Sequence, residues 1–259
     1  MPTDRAAGRE SGGPVRVYCS RMSSYWRLTR SPRYSLIFAL PLLLLYEALA
    51  FVLSHDAITG VRNGADVLLK SVFIGLGGRI GLIVFGLILL GGGAVLVRRD
   101  RGAGKLRGRF FLAMAVESVV YAGLFGAVTG LLTALLLGGL VRLAAGPAAA
   151  LDLPTQLMVS LGAGIYEELL FRVLIVGVLA WLARRVLGWG PVAAGVFATV
   201  TGALVFSLFH YIGPYGDQLR LASFAFRAIA GVLFSGLYLT RGFGITAWTH
   251  ALYDVLVTV

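Results

Sequence analysis

The chain contains several apolar stretches of about 20 residues, the length that an α-helix needs to cross the ~30 Å hydrocarbon core of a bilayer. Lipid offers no partner to a free backbone N–H or C=O group, so such stretches must be helical. Hydrophobic residues make up 58% of the 259 positions and charged residues only 14%, whereas soluble domains are about 45–50% apolar and about 25% charged. The sequence therefore predicts an all-α, polytopic transmembrane helix bundle.

We predict about seven membrane spans from the positions of these stretches. They lie at roughly 35–54, 80–97, 110–142, 157–183, 191–210, 221–240 and 243–259. Residues 56–79 carry charges at amphipathic spacing, which indicates one interfacial or re-entrant helix. The stretch 110–142 is too long for one upright helix and too short for two spans and a loop. We interpret it as a single tilted or kinked helix.

Basic residues indicate the orientation of the bundle. Seven arginines lie from Arg5 to Arg33, six basic residues lie in 98–109, and two arginines occupy 184–185. The loop 143–156 has none. By the positive-inside rule, the basic segments face the cytoplasm.

This orientation sets the predicted organisation of the chain. Residues 1–33 form a basic cytoplasmic tail, and residues 34–259 form a single membrane-embedded domain, in the inner membrane of a bacterium. The net charge of +11 borders the apolar stretches, where it sets topology and meets anionic lipid. We therefore expect the lipid bilayer as a partner and no nucleic acid.

Polar and charged side chains occur inside predicted spans of the C-terminal half. A charged group at the centre of a membrane helix costs at least ~2.5–3.5 kcal/mol, so its presence there favours a function. The first group lies in the run GAGIYEELLFR, the second in VFSLFH and the third in THALYD. The candidate residues are Glu167, Glu168, Arg172, Phe206, His210, His250 and Asp254.

The two adjacent glutamates are expected to differ in environment. Residues four apart share a helix face, so Glu168 and Arg172 can form an ion pair. Glu167 lies about 100° away around the helix and points elsewhere. One glutamate is thus neutralised, while its neighbour stays available as a general base for water.

Three motifs in this order resemble the CAAX protease and bacteriocin-processing (CPBP) family, also called the Abi or type II CAAX prenyl endopeptidase-like family. They are EExxxR at 167–172, FxxxH at 206–210 and HxxxD at 250–254. The resemblance covers roughly residues 155–259. It implies an intramembrane glutamic endopeptidase that hydrolyses a peptide bond in a membrane-associated or lipid-modified protein or peptide, with no metal or other cofactor.

The resemblance also implies a role for each residue. Glu167 would activate the attacking water, His210 would help to hold it, and His250 with residue 254 would stabilise the oxyanion. Supporting roles would fall to Glu168, Arg172 and Phe206. The family often has Asn where this chain has Asp254. An ionised Asp cannot donate to an oxyanion, so Asp254 must be protonated, orient His250 or do something else.

Two other classes of function remain open from the residues themselves. The same Glu, His and Asp side chains are plausible zinc ligands, which gives a zinc metalloprotease as the alternative mechanism, although no HExxH motif is present. A non-catalytic scaffold or a proton-coupled transporter is the third reading. Glu47 and Glu117, in the first and third spans, fit a proton path, but the internal repeats typical of transporters are not evident.

Overall fold

The computed structural model describes residues 24–54, 60–100, 105–139, 150–213 and 216–258. Of these residues 86% are helical and none lies in a strand, so the predicted all-α class is confirmed. Within these ranges a short helical stretch at 24–29 is followed by seven longer helices. These are α1 (Pro32–Ser54), α2 (Gly64–Arg99), α3 (Gly108–Leu137), α4 (153–185), α5 (Pro191–Phe209), α6 (Leu221–Arg241) and α7 (Phe243–Thr258).

The fourth helix, α4, is continuous but changes geometry along its length. It begins as an α-helix over Leu153–Gly162, has π-helical stretches at Ala163–Glu167 and Leu169–Val176, and ends as an α-helix over Gly177–Arg185. π-Helical turns are rare and occur frequently at functional sites. Both glutamates of the EExxxR motif therefore lie where α4 departs from regular α geometry.

Among the described residues, five helices are long and apolar enough to cross a membrane, namely α1, α2, α3, α5 and α6. Large side chains such as Leu44, Leu87 and Leu135 face outward from them, as expected of helices surrounded by lipid. The predicted count of seven spans is not confirmed. Helix α7 has only 16 residues. The two regular α-helical parts of α4 have 10 and 9 residues, and π-helical stretches lie between them.

Helix α2 differs from the sequence prediction at its start and in its middle. Residues 56–59 lie outside the described residues, and the helix begins at Gly64. It bends sharply at Gly77 and Gly78, where Gly78 has a φ of +56°, a left-handed conformation that favours glycine. Beyond the bend, Gly81 packs directly on the carbonyl of Phe73, although eight residues span about 12 Å in a straight helix. The predicted separate helix is thus present over 64–76, and the chain turns back after it.

Helix α3 confirms the prediction of one helix for the long apolar stretch after residue 108. It is unbroken over Gly108–Leu137 and ends at Gly138, whose φ is +72°. Its predicted last residues, 140–142, lie outside the described residues.

Helices α4 and α7 pack closely because a glycine lies where they meet. A Cβ at Gly164 would lie 2.6 Å from the Cβ of Ala251 and would also clash with the carbonyl oxygen of Ala247. Small residues at such positions let membrane helices approach closely. This contact brings the EExxxR motif of α4 against the HxxxD motif of α7.

Candidate active site

Glu167 is buried between two helix termini. Its Oε1 accepts a 2.8 Å hydrogen bond from Asn63 Nδ2, in the residue that precedes α2. Its Oε2 lies 3.8 Å from His210 Nε2 and has no hydrogen-bond partner among the described residues. A distance of 3.8 Å is too long for a direct hydrogen bond but is one that a single water molecule can bridge.

Glu168 faces a different set of partners. Its Oε1 accepts a 2.7 Å hydrogen bond from His250 Nδ1, and its Oε2 lies 3.2 Å from Arg172 Nε. The predicted Glu168–Arg172 ion pair is confirmed, as is the divergence of the two adjacent glutamates. The bond to His250 was not predicted, because it joins two residues that lie 82 positions apart on different helices.

His210 lies immediately after the last residue of α5. Its Nδ1 is 2.9 Å from the carbonyl oxygen of Phe206, and its ring meets the Phe206 ring edge to face at 4.8 Å. A carbonyl oxygen only accepts, so Nδ1 carries the proton and Nε2 is the nitrogen that faces Glu167. The four-residue spacing of the FxxxH motif thus places the two rings side by side.

His250 lies on α7 and is held on two sides. Its ring stacks on Phe234 with a centroid distance of 4.3 Å, and its Nε2 lies 3.6 Å from Asp254 Oδ2. The side chain of Asp254 is 31% exposed and that of His210 is 25% exposed. These two residues therefore form the accessible side of the cluster.

Arg172 is buried beneath the site. Its guanidinium lies 4.5 Å from the Phe206 ring centroid and 5.4 Å from that of Phe234. Apart from the ion pair with Glu168, none of its three nitrogens makes a hydrogen bond within the part of the chain that the structure describes. The two aromatic faces provide attraction to its charge through their quadrupoles.

Two further glutamates inside predicted spans form ion pairs outside this cluster. Glu47 lies 3.0 Å from Lys70 Nζ and 3.4 Å from Arg62 Nη1. Glu117 is paired with Arg241 of α6. Both are half-buried, and nearby cations compensate their charge.

The motif residues thus converge from three helices. The structure brings Glu167 to His210 and Glu168 to His250, and Asn63 joins them from the N-terminal half. Asn63 was not predicted, although the run RNGAD has an Asn followed three positions later by an Asp, which is typical of a helix N-terminus. Within the described ranges, no group of three or more His, Cys, Asp or Glu side chains has an arrangement that could hold a metal ion.

A comparison with family models finds a match in the C-terminal part of the chain. The model described as type II CAAX prenyl endopeptidase Rce1-like matches residues 149–256, a stretch that contains all three motifs. The resemblance to the CAAX protease and bacteriocin-processing family is therefore confirmed over these residues, and this family is one of membrane proteases. No curated protein and no solved structure matches the chain.

Proposed function

We propose that this chain is an intramembrane endopeptidase in which Glu167 is the base that activates water. The observation that carries the proposal is the unpaired, buried Oε2 of Glu167, which faces His210 Nε2 at 3.8 Å. A water between these atoms can donate one proton to the carboxylate and its other to the imidazole nitrogen. General bases act at hydrogen-bond distance from the proton that they remove.

The hydrolysis follows from this arrangement. Glu167 takes a proton from the water, and the oxygen of that water attacks the carbonyl carbon of the substrate. The carbonyl oxygen becomes an oxyanion, and the carbon–nitrogen bond then breaks as Glu167 returns the proton to the leaving amine. The products are a new carboxylic acid, which loses its proton to solvent, and a new amine, and the enzyme regains its starting state.

His250 is the group that we assign to the oxyanion. Its Nδ1 is engaged by Glu168 at 2.7 Å, which fixes the plane of the ring and leaves Nε2 as the donor in the imidazolium form. Donors aimed at developing negative charge in a water-poor site contribute strongly to catalysis. Asp254, 3.6 Å from that nitrogen, orients the imidazolium and does not itself donate.

The substrate that we propose is a lipid-modified or otherwise membrane-associated protein or peptide. Two features support this class: the family match to a prenyl endopeptidase over residues 149–256 and a bundle with five helices apolar enough to span a membrane. The transporter alternative loses support because Glu47 and Glu117, its candidate proton carriers, are each paired with cations.

Replacing Glu167 by Gln tests the proposed function. The amide keeps the shape of the side chain and can still accept from Asn63, but it cannot take a proton. We expect turnover to fall about 100- to 10,000-fold, with the melting temperature in detergent close to wild type. The measurement is cleavage of fluorogenic peptides in vesicles, using farnesylated peptides with a CAAX-type C-terminus and unmodified peptides of the same sequence.

The matched control is Glu117→Gln, the same change at a half-buried, ion-paired glutamate outside the site. We expect it to lower the melting temperature and to leave turnover of the remaining folded protein unchanged. Wild-type turnover by Glu167→Gln, on a peptide that the purified enzyme cleaves, contradicts the assignment of the base.

The accessible side of the site is proposed to lie in the outer half of the membrane. His210 follows the end of α5, and its carbonyl oxygen accepts a 2.9 Å hydrogen bond from the backbone N–H of Asp217. The next residue, Gln218, is exposed and therefore reports which side of the membrane the site faces. Cys19→Ser removes the one cysteine of the sequence. In that background, we expect Gln218→Cys to react with a membrane-impermeant thiol reagent on intact cells. Labelling only after membrane disruption puts the site on the cytoplasmic side, where a CAAX-type substrate would meet it.

A further inference from the structure

Asn63 connects the N-terminal half of the chain to the site. It lies 104 positions before Glu167, and its side chain is buried against that carboxylate. None of the three motifs includes it, and it lies outside residues 149–256, which the family model matches. Its contact with Glu167 therefore comes from the part of the chain that precedes the matched residues.

Both ends of the Asn63 amide are used. The oxygen, Oδ1, accepts from the backbone N–H of Ala65 at 2.9 Å and so caps the start of α2. The nitrogen, Nδ2, donates to Glu167 Oε1 at 2.8 Å. An amide side chain carries an acceptor and a donor on one rigid group, so the cap fixes the direction in which Nδ2 points.

The backbone of Asn63 is held in turn by a buried network. Its N–H donates to the hydroxyl of Tyr46 at 3.3 Å, and that hydroxyl donates to Asp66 Oδ2 at 2.7 Å. Asp66 also pairs with Arg62 at 2.9 Å and with Lys70 at 2.7 Å. Burial disfavours the charged guanidinium of Arg62, but the hydrogen bond and the attraction of Asp66 outweigh this effect and raise its pKa above the ordinary value.

The backbone of α4 packs directly on the same residues. A Cβ at Gly162 would lie 2.5 Å from Tyr46 Cε2 and 2.7 Å from Asn63 Cβ. This glycine lets α4 approach until Glu167, five positions later, reaches the amide of Asn63. The position of Asn63 relative to Glu167 is therefore set by packing on both sides.

We propose that Asn63 is a positioning residue that holds Glu167 Oε1, so that Oε2 stays directed at His210. This proposal rests on the proposed function of Glu167 as the base. The last torsion of a Glu side chain is broad, and one fixed oxygen restricts it. Without the donor, the carboxylate rotates away from the direction in which it meets the water.

Variants that keep the cap but remove the donor test the proposal. Asn63→Ser and Asn63→Thr both retain a hydroxyl oxygen that can cap a helix. These side chains are one bond shorter than that of Asn, so their hydroxyl cannot cap α2 and reach Glu167 together. We expect kcat to fall on the order of 100-fold, as for a misplaced catalytic group, while KM stays near wild type and the melting temperature falls by less than in Asn63→Ala.

Asn63→Ala separates the two uses of the amide. It loses the donor and the cap, so we expect the same fall in kcat together with a melting temperature lower by about 2–4 °C. Ser54→Ala is the control for the segment before α2, because Ser54 Oγ anchors the carbonyl of Val61 at 2.6 Å without touching Glu167. It is expected to change stability only.

A second readout does not depend on hydrolysis. Dicyclohexylcarbodiimide reacts with buried carboxyl groups, and mass spectrometry reports the rate at Glu167. We expect faster modification in Asn63→Ser than in wild type, because Oε1 has lost its donor. An unchanged rate, or wild-type kcat in both cap-retaining variants, overturns the positioning role. Wild-type turnover by Glu167→Gln instead overturns the base assignment, so the two failures are distinct.

Discussion

Two glutamate–arginine pairs of the described residues, Glu117–Arg241 and Glu168–Arg172, each contain a buried arginine but differ in how completely their polar atoms are bonded. Glu117 Oε2 accepts from the Tyr25 hydroxyl at 2.7 Å and from Arg241 Nη2 at 2.8 Å, and its other oxygen accepts from Arg241 Nε. Arg241 also donates to the Thr29 hydroxyl and to the Trp26 carbonyl. Each nitrogen of this guanidinium thus has a partner.

The pair in the site is bonded much less completely. Arg172 makes no hydrogen bond within the described part of the chain, and neither does Glu168 Oε2 or Glu167 Oε2. A buried polar atom without a partner costs ~1–3 kcal/mol, and more if it is charged. Proteins keep such costs mainly where function requires them. The contrast indicates that the Arg241 pair is structural and that the Arg172 pair belongs to a site built to receive other atoms.

Removing the arginine from each pair gives the largest expected difference. Arg172→Met removes the guanidinium from Glu168, which is fully buried and keeps its hydrogen bond to His250, and breaking a buried pair costs ~3–5 kcal/mol of stability. The change also frees one oxygen of the carboxylate that holds His250, so turnover should fall as well. Arg241→Met should lower stability less, because the side chain of Glu117 is 15% exposed while that of Glu168 is fully buried, and kcat should not change. Melting curves and kcat for both variants check this.

Equal losses of kcat in the two variants would break the comparison. Such a result would mean that any weakening of the bundle disturbs the site. The proposed distinction between a structural pair and a site pair would then have no support.

Replacing both members of each pair by apolar residues sharpens the comparison. Removing a whole buried pair is often neutral or stabilising, since no charge is left uncompensated. Glu117→Leu with Arg241→Met should therefore recover much of the lost stability and retain turnover. Glu168→Leu with Arg172→Met should also recover stability but remain inactive, because His250 Nδ1 loses its acceptor. Recovery of turnover by the second double variant would contradict the role given to Glu168.

The same two pairs indicate what the sequence could predict. Glu168–Arg172 was predictable because both residues lie on one helix, four positions apart. Glu117–Arg241 was not, because its members are 124 positions apart and the pairing depends on how α3 and α6 pack. Spacing within a helix likewise predicts that Phe206 meets His210 and that His250 faces Asp254.

Other features of the site arise between segments or from backbone geometry. The Asn63–Glu167 contact joins residues 104 positions apart, and no periodicity reports such a distance. The π-helical stretches of α4 are also invisible to a hydrophobic pattern that assumes 3.6 residues per turn. The Gly77–Gly78 bend had a local signal, since adjacent glycines are a known cause of sharp bends in helices.

Chelation should have the smallest effect, because we propose a mechanism without a metal. If zinc were held by His210, His250 and a carboxylate, the incomplete bonding of this cluster would reflect a missing metal and not a place for water and substrate. We expect turnover after treatment with EDTA and 1,10-phenanthroline to match that of untreated enzyme, with metal content measured on the same samples. Loss of turnover on stripping, with recovery when zinc alone is added back, would replace the glutamic mechanism by the zinc alternative. The Glu117–Arg241 pair serves as the internal reference, because Glu117 is bonded to the Arg241 guanidinium and to the Tyr25 hydroxyl. Removal of metal should leave the melting temperatures of the variants of this pair unchanged.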